Sequence, residues 1–298
     1  MSEQVETPPL GRHYDVDGRR LSLYVSGSGG PAVVFLPGAG LVGLDFLNVH
    51  QRVAEFTTAV SYDRAGTGWS SPAELPASAT EAVDELRSLL AAAGVPGPYV
   101  LAGHSLGGLH ARRFAQRYPS DVAGLVLLDP AHEDMPARMP AALRDLLAEL
   151  DSQPLPELSE EQRGDLGAGF ARALSEWPAD LRELLVARHV NPVWMRAGAL
   201  ERRNLEEIYA ELRAGGPPPS RPLIVLTAAA HDPAEEEYMT PETQQEWDAV
   251  KLALHAELAA SVPRGEQRVV EGAAHSTFQT DEPDAVVDAI RDVLNLLA

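Results

Sequence analysis

The chain contains no cysteine. Disulfides and thiolate metal sites are therefore excluded. Positive charge is scarce as well: 24 Lys and Arg stand against 44 Asp and Glu, a formal net charge of −20. Such a surface repels a nucleic-acid backbone or an anionic membrane, so neither is an expected partner; the acidity serves solubility. No apolar run is long enough to span a bilayer, and Met1–Leu10 is polar with two prolines instead of an apolar signal core. A soluble cytoplasmic protein is the expectation. Lipidation motifs and repeats are missing. So are His-Glu-X-X-His and clustered carboxylates, and Gly27-Ser28-Gly29-Gly30 lacks the Lys and Ser/Thr of a phosphate loop. No metal and no cofactor are expected.

What the sequence does hold is a globular α/β pattern. Its 298 residues, 45% hydrophobic, suit one large domain with an insertion or two domains. Arg12–Val16 and Leu21–Val25 flank Asp17-Gly18 and read as a hairpin. Ala32–Leu36, Thr58–Tyr62, Tyr99–Ala102, Gly124–Leu128, Leu223–Thr227 and Gln267–Val270 read as short buried strands. Helical spacing marks Ala79–Ala93, Leu106–Tyr118 and Asp281–Leu297, the last with Pro283 near its start. The alternation implies a mostly parallel eight-stranded sheet with helices on both sides, entered by an antiparallel hairpin. Ala131–Arg221 breaks the alternation. It carries amphipathic stretches over Ala141–Leu150, Ala179–His189 and Leu200–Arg213, a capping box at Ser159-Glu160-Glu161-Gln162, and a Gly215-Gly216-Pro217-Pro218-Pro219 linker. The expected division is a core from 1–131 and 221–298 with a helical cap over 132–220.

One segment points to chemistry. Val100-Leu101-Ala102-Gly103-His104-Ser105-Leu106-Gly107-Gly108 reads as a buried strand, a Gly-X-Ser-X-Gly turn and the start of a helix. That turn exposes one serine at the end of a sheet, with helix amides facing any anion formed there. A serine hydroxyl is too weakly acidic to attack an acyl carbon unaided, so a base must take its proton.

The sequence resembles the α/β-hydrolase family, and the landmarks occur in the family's order. Phe35-Leu36-Pro37-Gly38-Ala39-Gly40 stands where the family has its His-Gly oxyanion loop, with Pro37 in place of the His. Tyr62-Asp63-Arg64-Ala65-Gly66-Thr67-Gly68-Trp69-Ser70 looks like the Asp-Arg-X-Gly-X-Gly-X-Ser loop. Gly103–Gly107 matches the nucleophile elbow, and Val269-Val270-Glu271-Gly272-Ala273-Ala274-His275 looks like the last strand and its histidine loop. The resemblance implies Ser105 as nucleophile and His275 as base. It implies backbone amides of Leu106 and Ala39 as the oxyanion hole, with Gly38 or Gly40 serving if the loop is shifted. The acid is Asp232, in the family's usual place, or Asp129, in the Leu128-Asp129-Pro130-Ala131 turn; the reading leans to Asp232. Asp63 is expected to be structural. His104, Trp177, Trp194 and Met195 are candidate substrate contacts, with Tyr209 a further cap aromatic over Ser105; the alternative for the cap residues is that they form the core of the cap itself.

The implied function is a serine hydrolase acting on a small-molecule carboxylic ester, lactone or thioester with an apolar part. A cofactor-free lyase, dioxygenase, peroxidase or acyltransferase on the same fold is the alternative, as is a small-ligand receptor with little turnover. A monomer or homodimer is expected.

Overall fold

Continuous apolar runs become the middle of a sheet. In β3 (Val33–Leu36), β4 (Ala59–Tyr62), β5 (Tyr99–His104), β6 (Val122–Leu128) and β7 (Leu223–Ala228) every residue is buried, as strands covered on both faces require. The hairpin β1 (Arg12–Val16) and β2 (Arg19–Ser26) turns at Asp17 and Gly18, both at positive φ, which suits a tight right-twisting connection. The half-exposed β8 (Gly265–Val270) forms the far edge. The spatial order is β1-β2-β4-β3-β5-β6-β7-β8. β2 runs antiparallel to β1 and β4; the other pairs are parallel. This computed structural model describes residues 6–155, 158–232 and 239–297. The first half of the polar stretch Met1–Leu10 thus lies outside the described residues.

Strand alternation sends successive side chains to opposite faces. Val34 and Leu36 pack with Val83, Leu86 and Leu90 of α2 (Ala79–Ala92) and Phe114 of α3 (Leu106–Arg117). Val33 and Phe35 pack on the other face with Val49 and Val53 of α1 (Leu47–Val53) and with Val286 and Ile290 near the C-terminus. Burying each such side chain contributes about 1.5–3 kcal/mol before entropy is subtracted. α2 starts in a capping box: Ser78 accepts from the Glu81 amide, and the Glu81 carboxylate accepts from the Ser78 amide.

Six described helices lie between β6 and β7: α4 (Met135–Arg138), α5 (Ala141–Ser152), α6 (Glu160–Ala173), α7 (Ala179–His189), α8 (Pro192–Arg203) and α9 (Leu205–Gly215). α6 opens at the Ser159 and Gln162 box. The single helix expected over Leu200–Arg213 is instead the junction of two. The break falls at Asn204, a weak helix former, whose side-chain amide donates to the distant Ala77 carbonyl at 2.9 Å. α10 (Pro241–Ala260) joins β7 to β8, where the sequence reading assigns no element. The C-terminal helix is divided into α11 (Phe278–Asp281) and α12 (Pro283–Asn295), with Pro283 in the first turn of the latter. No described helix is long and apolar enough to cross a membrane.

Candidate active site

Loops at the carboxyl ends of parallel strands form the natural site of such a sheet, and the chemistry-bearing residues lie there. Ser105 separates β5 from α3 with φ 51° and ψ −118°, a conformation that costs a non-glycine residue roughly 1–3 kcal/mol. Flanking glycines make the corner possible. A methyl on Gly107 would run into the Leu36 and Pro37 carbonyl oxygens, and one on Gly103 into the Gly107 carbonyl. The corner is pinned by main-chain bonds: Ser105 N donates to Leu128 O at 3.1 Å, and Ser105 O accepts from Gly108 and Ala131.

Asp129 ends β6 at φ 39°, the left-handed region that Asp tolerates better than most residues. Its Oδ2 accepts the His275 Nδ1–H at 2.7 Å, and its Oδ1 accepts the Ala228 amide at 2.9 Å. The Lys251 Nζ stands 3.4 Å from Oδ2. Burial pushes the carboxyl up, but the His275 hydrogen bond with the His275 and Lys251 charges outweighs it and holds Asp129 well below the usual carboxylate range. The other candidate acid, towards which the sequence leans, has different partners. Asp232 accepts from the Ser276 amide at 2.7 Å and the Ser276 hydroxyl at 3.1 Å. It thus fastens the loop just past His275, while Asp129 faces the ring.

His104 is buried beside this pair. Its Nε2–H donates to the His275 carbonyl at 2.7 Å, and the two rings lie 5.0 Å apart. Burial, aided by the His275 charge, pulls His104 down to about 3, so it is neutral. It anchors the histidine loop to the residue next to Ser105.

The loop after β3 passes close by: a methyl on Gly38 would sit 3.3 Å from Ser105 Cβ and 2.7 Å from His104 Nδ1. Arg64 grips this loop. Its Nη1 donates to Pro37 O at 2.6 Å and its Nη2 to Gly38 O at 2.9 Å. In a trans peptide the N–H points opposite to the C=O, so the Ala39 N–H faces away from Arg64. Ala39 packs in the same apolar cluster as Leu106. Asp63, beside Arg64, accepts from the Gly43 and Trp69 amides at 2.9 Å each, and burial pushes its carboxyl up to about 6 against those bonds. Its contacts are those of a loop-holding residue.

The aromatics of the helical insertion divide. Trp177 and Trp194 pack with Val42, Leu44, Leu47 and Trp69 rather than with Leu106, and Trp177 Nε1 donates to Leu44 O at 2.9 Å. Large amphipathic rings here join the helical insertion to the sheet side of the molecule. Met195 is half-buried on α8. Leu205, Ile208, Tyr209 and Leu212 of α9 cluster with Leu106 and Ala39. Ala131 touches that cluster and a second one containing Met135, Leu143 and Trp247.

The sequence reading passes over Glu201 and Lys251, and it quotes Arg64 without a role. Glu201, on α8, accepts from Arg64 Nε at 2.7 Å, Arg64 Nη2 at 3.1 Å and the Gly40 amide at 3.0 Å. A Glu on an amphipathic helix carries no sequence signal for such a contact. Arg64 had one, its place in the Asp-Arg motif.

Comparisons with known proteins agree with this architecture. Two uncharacterized proteins of Bacillus subtilis (strain 168) are similar in sequence: YbdG, 28% identical over 117 residues, and YqjL, 34% identical over 122 residues. These matches cover 39% and 41% of this chain, and 36% and 48% of those proteins, so less than half of each relative is spanned. Among solved structures, a thermophilic esterase from Thermogutta terrifontis superposes with a TM-score of 0.63 at 20% identity, covering 96% of this chain and 98% of that one. The enol-lactonase from Burkholderia xenovorans LB400 superposes with a TM-score of 0.63 at 18% identity, covering 95% and 99%. Likeness at such identity speaks for the fold. A family model described as the alpha/beta hydrolase family matches residues 33–289, and the chain belongs to that family.

Proposed function

We propose that this protein is a serine hydrolase cleaving a carboxylic ester, lactone or thioester through an acyl-enzyme on Ser105. The observation that carries the reading is the hydrogen bond from His275 Nδ1–H to the buried Asp129 carboxylate. It fixes the tautomer that leaves Nε2 free of a proton, the form a base needs to take the Ser105 hydroxyl proton. Ser105 Oγ then attacks the acyl carbon. The tetrahedral oxyanion is held by the Leu106 and Ala39 amides, the latter oriented because Arg64 holds the Gly38 carbonyl on the far side. His275, now protonated and stabilised by Asp129, gives its proton to the leaving oxygen or sulfur. Water, activated by the same imidazole, releases the acid and restores Ser105.

The helices between β6 and β7 act in this reading as a cap, over 132–220, with the remainder as core. Ala131 packs against the cluster of Leu106, Ile208 and Tyr209 and against that of Met135, Leu143 and Trp247, apolar surroundings that favour a substrate with an apolar acyl part. The esterase and the enol-lactonase among the structural neighbours support the same class of reaction. The test is turnover of a short p-nitrophenyl ester by wild type and Ser105→Ala. Loss of turnover in a variant with an unchanged circular dichroism spectrum is expected; equal rates would contradict the assignment.

A further inference from the structure

The chain has a single lysine, Lys251. Ammonium groups normally stay in water, yet this one is buried, at 7% exposure. It lies on the face of α10 that also buries Trp247, Leu254, His255 and Leu258. Its ion-pair partner is Asp129, and it approaches Oδ2, the same oxygen that takes the His275 N–H. Burying an ammonium is costly unless a partner compensates it, so an otherwise lysine-free chain holds a costly charge on this carboxylate.

We propose that Lys251 is a positioning residue of the Asp129–His275 pair, sharing Asp129 Oδ2 with the imidazole and thereby fixing the carboxylate and weakening its pull on the His275 proton. The inference rests on the triad reading above. Among the described residues Lys251 is the lysine or arginine that pairs with Asp129. His255, also on α10, stands 3.9 Å from Asp129 Oδ1. Its Nε2–H donates to Pro130 O at 2.9 Å and its Nδ1 lies 3.0 Å from the Thr227 hydroxyl. Burial pulls it down to about 4, so it is neutral. His104, packed on the His275 ring from β5, is neutral as well. Asp232, after β7, lies on the Ser276 amide, and Asp281 of α11 accepts from the Ala274 amide at 3.2 Å. These two carboxylates face the histidine loop whether or not Lys251 is present. The consequence has a definite sign. Full negative charge on Asp129 favours imidazolium, and an ammonium at Oδ2 offsets part of it. Lys251 therefore extends the pH range over which His275 stays a free base towards acid.

The experiment is an NMR titration of the His275 ring, assigned by its loss in His275→Gln, in wild type, Lys251→Met, Lys251→Gln and Lys251→Arg. In the first two variants the midpoint is expected to rise by about 0.5–1 pH unit, with the acid limb of kcat/KM moving by the same amount. Lys251→Arg, which keeps the charge, is expected to stay near wild type. A midpoint that does not move in a folded Lys251→Met or Lys251→Gln protein overturns the proposal, even if stability falls, because a purely structural lysine would change melting and not titration. Folding of each neutral variant is checked by circular dichroism and the midpoint is read in a folded one; collapse of both counts against the proposal, because a lysine needed only for folding is structural. Turnover by Ser105→Ala is read separately: if it persists, the nucleophile assignment fails, whereas the titration still decides on Lys251.

Discussion

Arg64 and Glu201 lie 137 residues apart in the chain and meet through two hydrogen bonds in a buried ion pair. Arg64 belongs to the loop after β4 and Glu201 to a helix of the insertion, so the pair ties the insertion to the strand-end loops. Through Pro37, Gly38 and Gly40 it also ties both to the loop carrying Ala39. Glu201→Gln leaves a buried guanidinium with half its partner, and a loss of about 3–5 kcal/mol is expected for breaking such a pair. Arg64→Met with Glu201→Leu removes both charges. Urea unfolding should show most of the stability recovered, while kcat remains down about ten- to a hundredfold because the Gly38 carbonyl is released. Recovery of both stability and kcat would contradict a role for Arg64 in holding the loop.

The two candidate acids separate kinetically. Asp129→Asn presents an amide to His275 and no longer enforces the tautomer with Nε2 unprotonated, so kcat is expected to fall by about 10⁴. Asp232→Asn loosens the Ser276 loop and should cost about tenfold, since its contact bears on the backbone. Steady-state kinetics on one ester reads both. A larger loss at position 232 would reverse the assignment.

The strained corner predicts a stability difference independent of any substrate. At φ 51° and ψ −118° alanine carries the same strain as serine and glycine does not. Ser105→Gly is therefore expected to exceed Ser105→Ala in stability by about 1 kcal/mol, measured by chemical denaturation. Equal stability would show that the corner is unstrained.

Of the buried histidines, His50, His104, His110 and His255 are lowered by burial from 6.5 to about 4, 3, 3 and 4. Each native value is depressed, so the unfolded chain takes up their protons first. Their neutral burial leaves stability intact above pH 6.5 and erodes it as pH falls towards 4 and 3, at about 1.4 kcal/mol per pH unit for each proton taken up on unfolding. Urea titrations from pH 7 to pH 5 should show a steep fall. A flat profile would mean that these rings are charged in the native state.

The sheet was legible because its strands are continuous apolar runs, and the sharp corner at Ser105 because Gly103 and Gly107 leave room where any side chain would strike a carbonyl. The acid was not. Asp129 and Asp232 follow adjacent parallel strands, and the left-handed backbone of Asp129, which accompanies its contact with His275, leaves no trace in residue order. Trp177 and Trp194 read as cap aromatics, yet the sequence does not say which side of the insertion they face. Lys251 does carry a sequence signal: a lone lysine four residues after Trp247 and three before Leu254, within a helical apolar stripe.

The central claim, a nucleophilic Ser105, is tested most directly by reacting the protein with an alkyl fluorophosphonate and mapping the adduct by peptide mass spectrometry. A single adduct on Ser105, absent in Ser105→Ala and slowed in His275→Gln, is the expected result. An unmodified Ser105 in protein that hydrolyses esters, or an adduct on another residue that persists in Ser105→Ala, would contradict it.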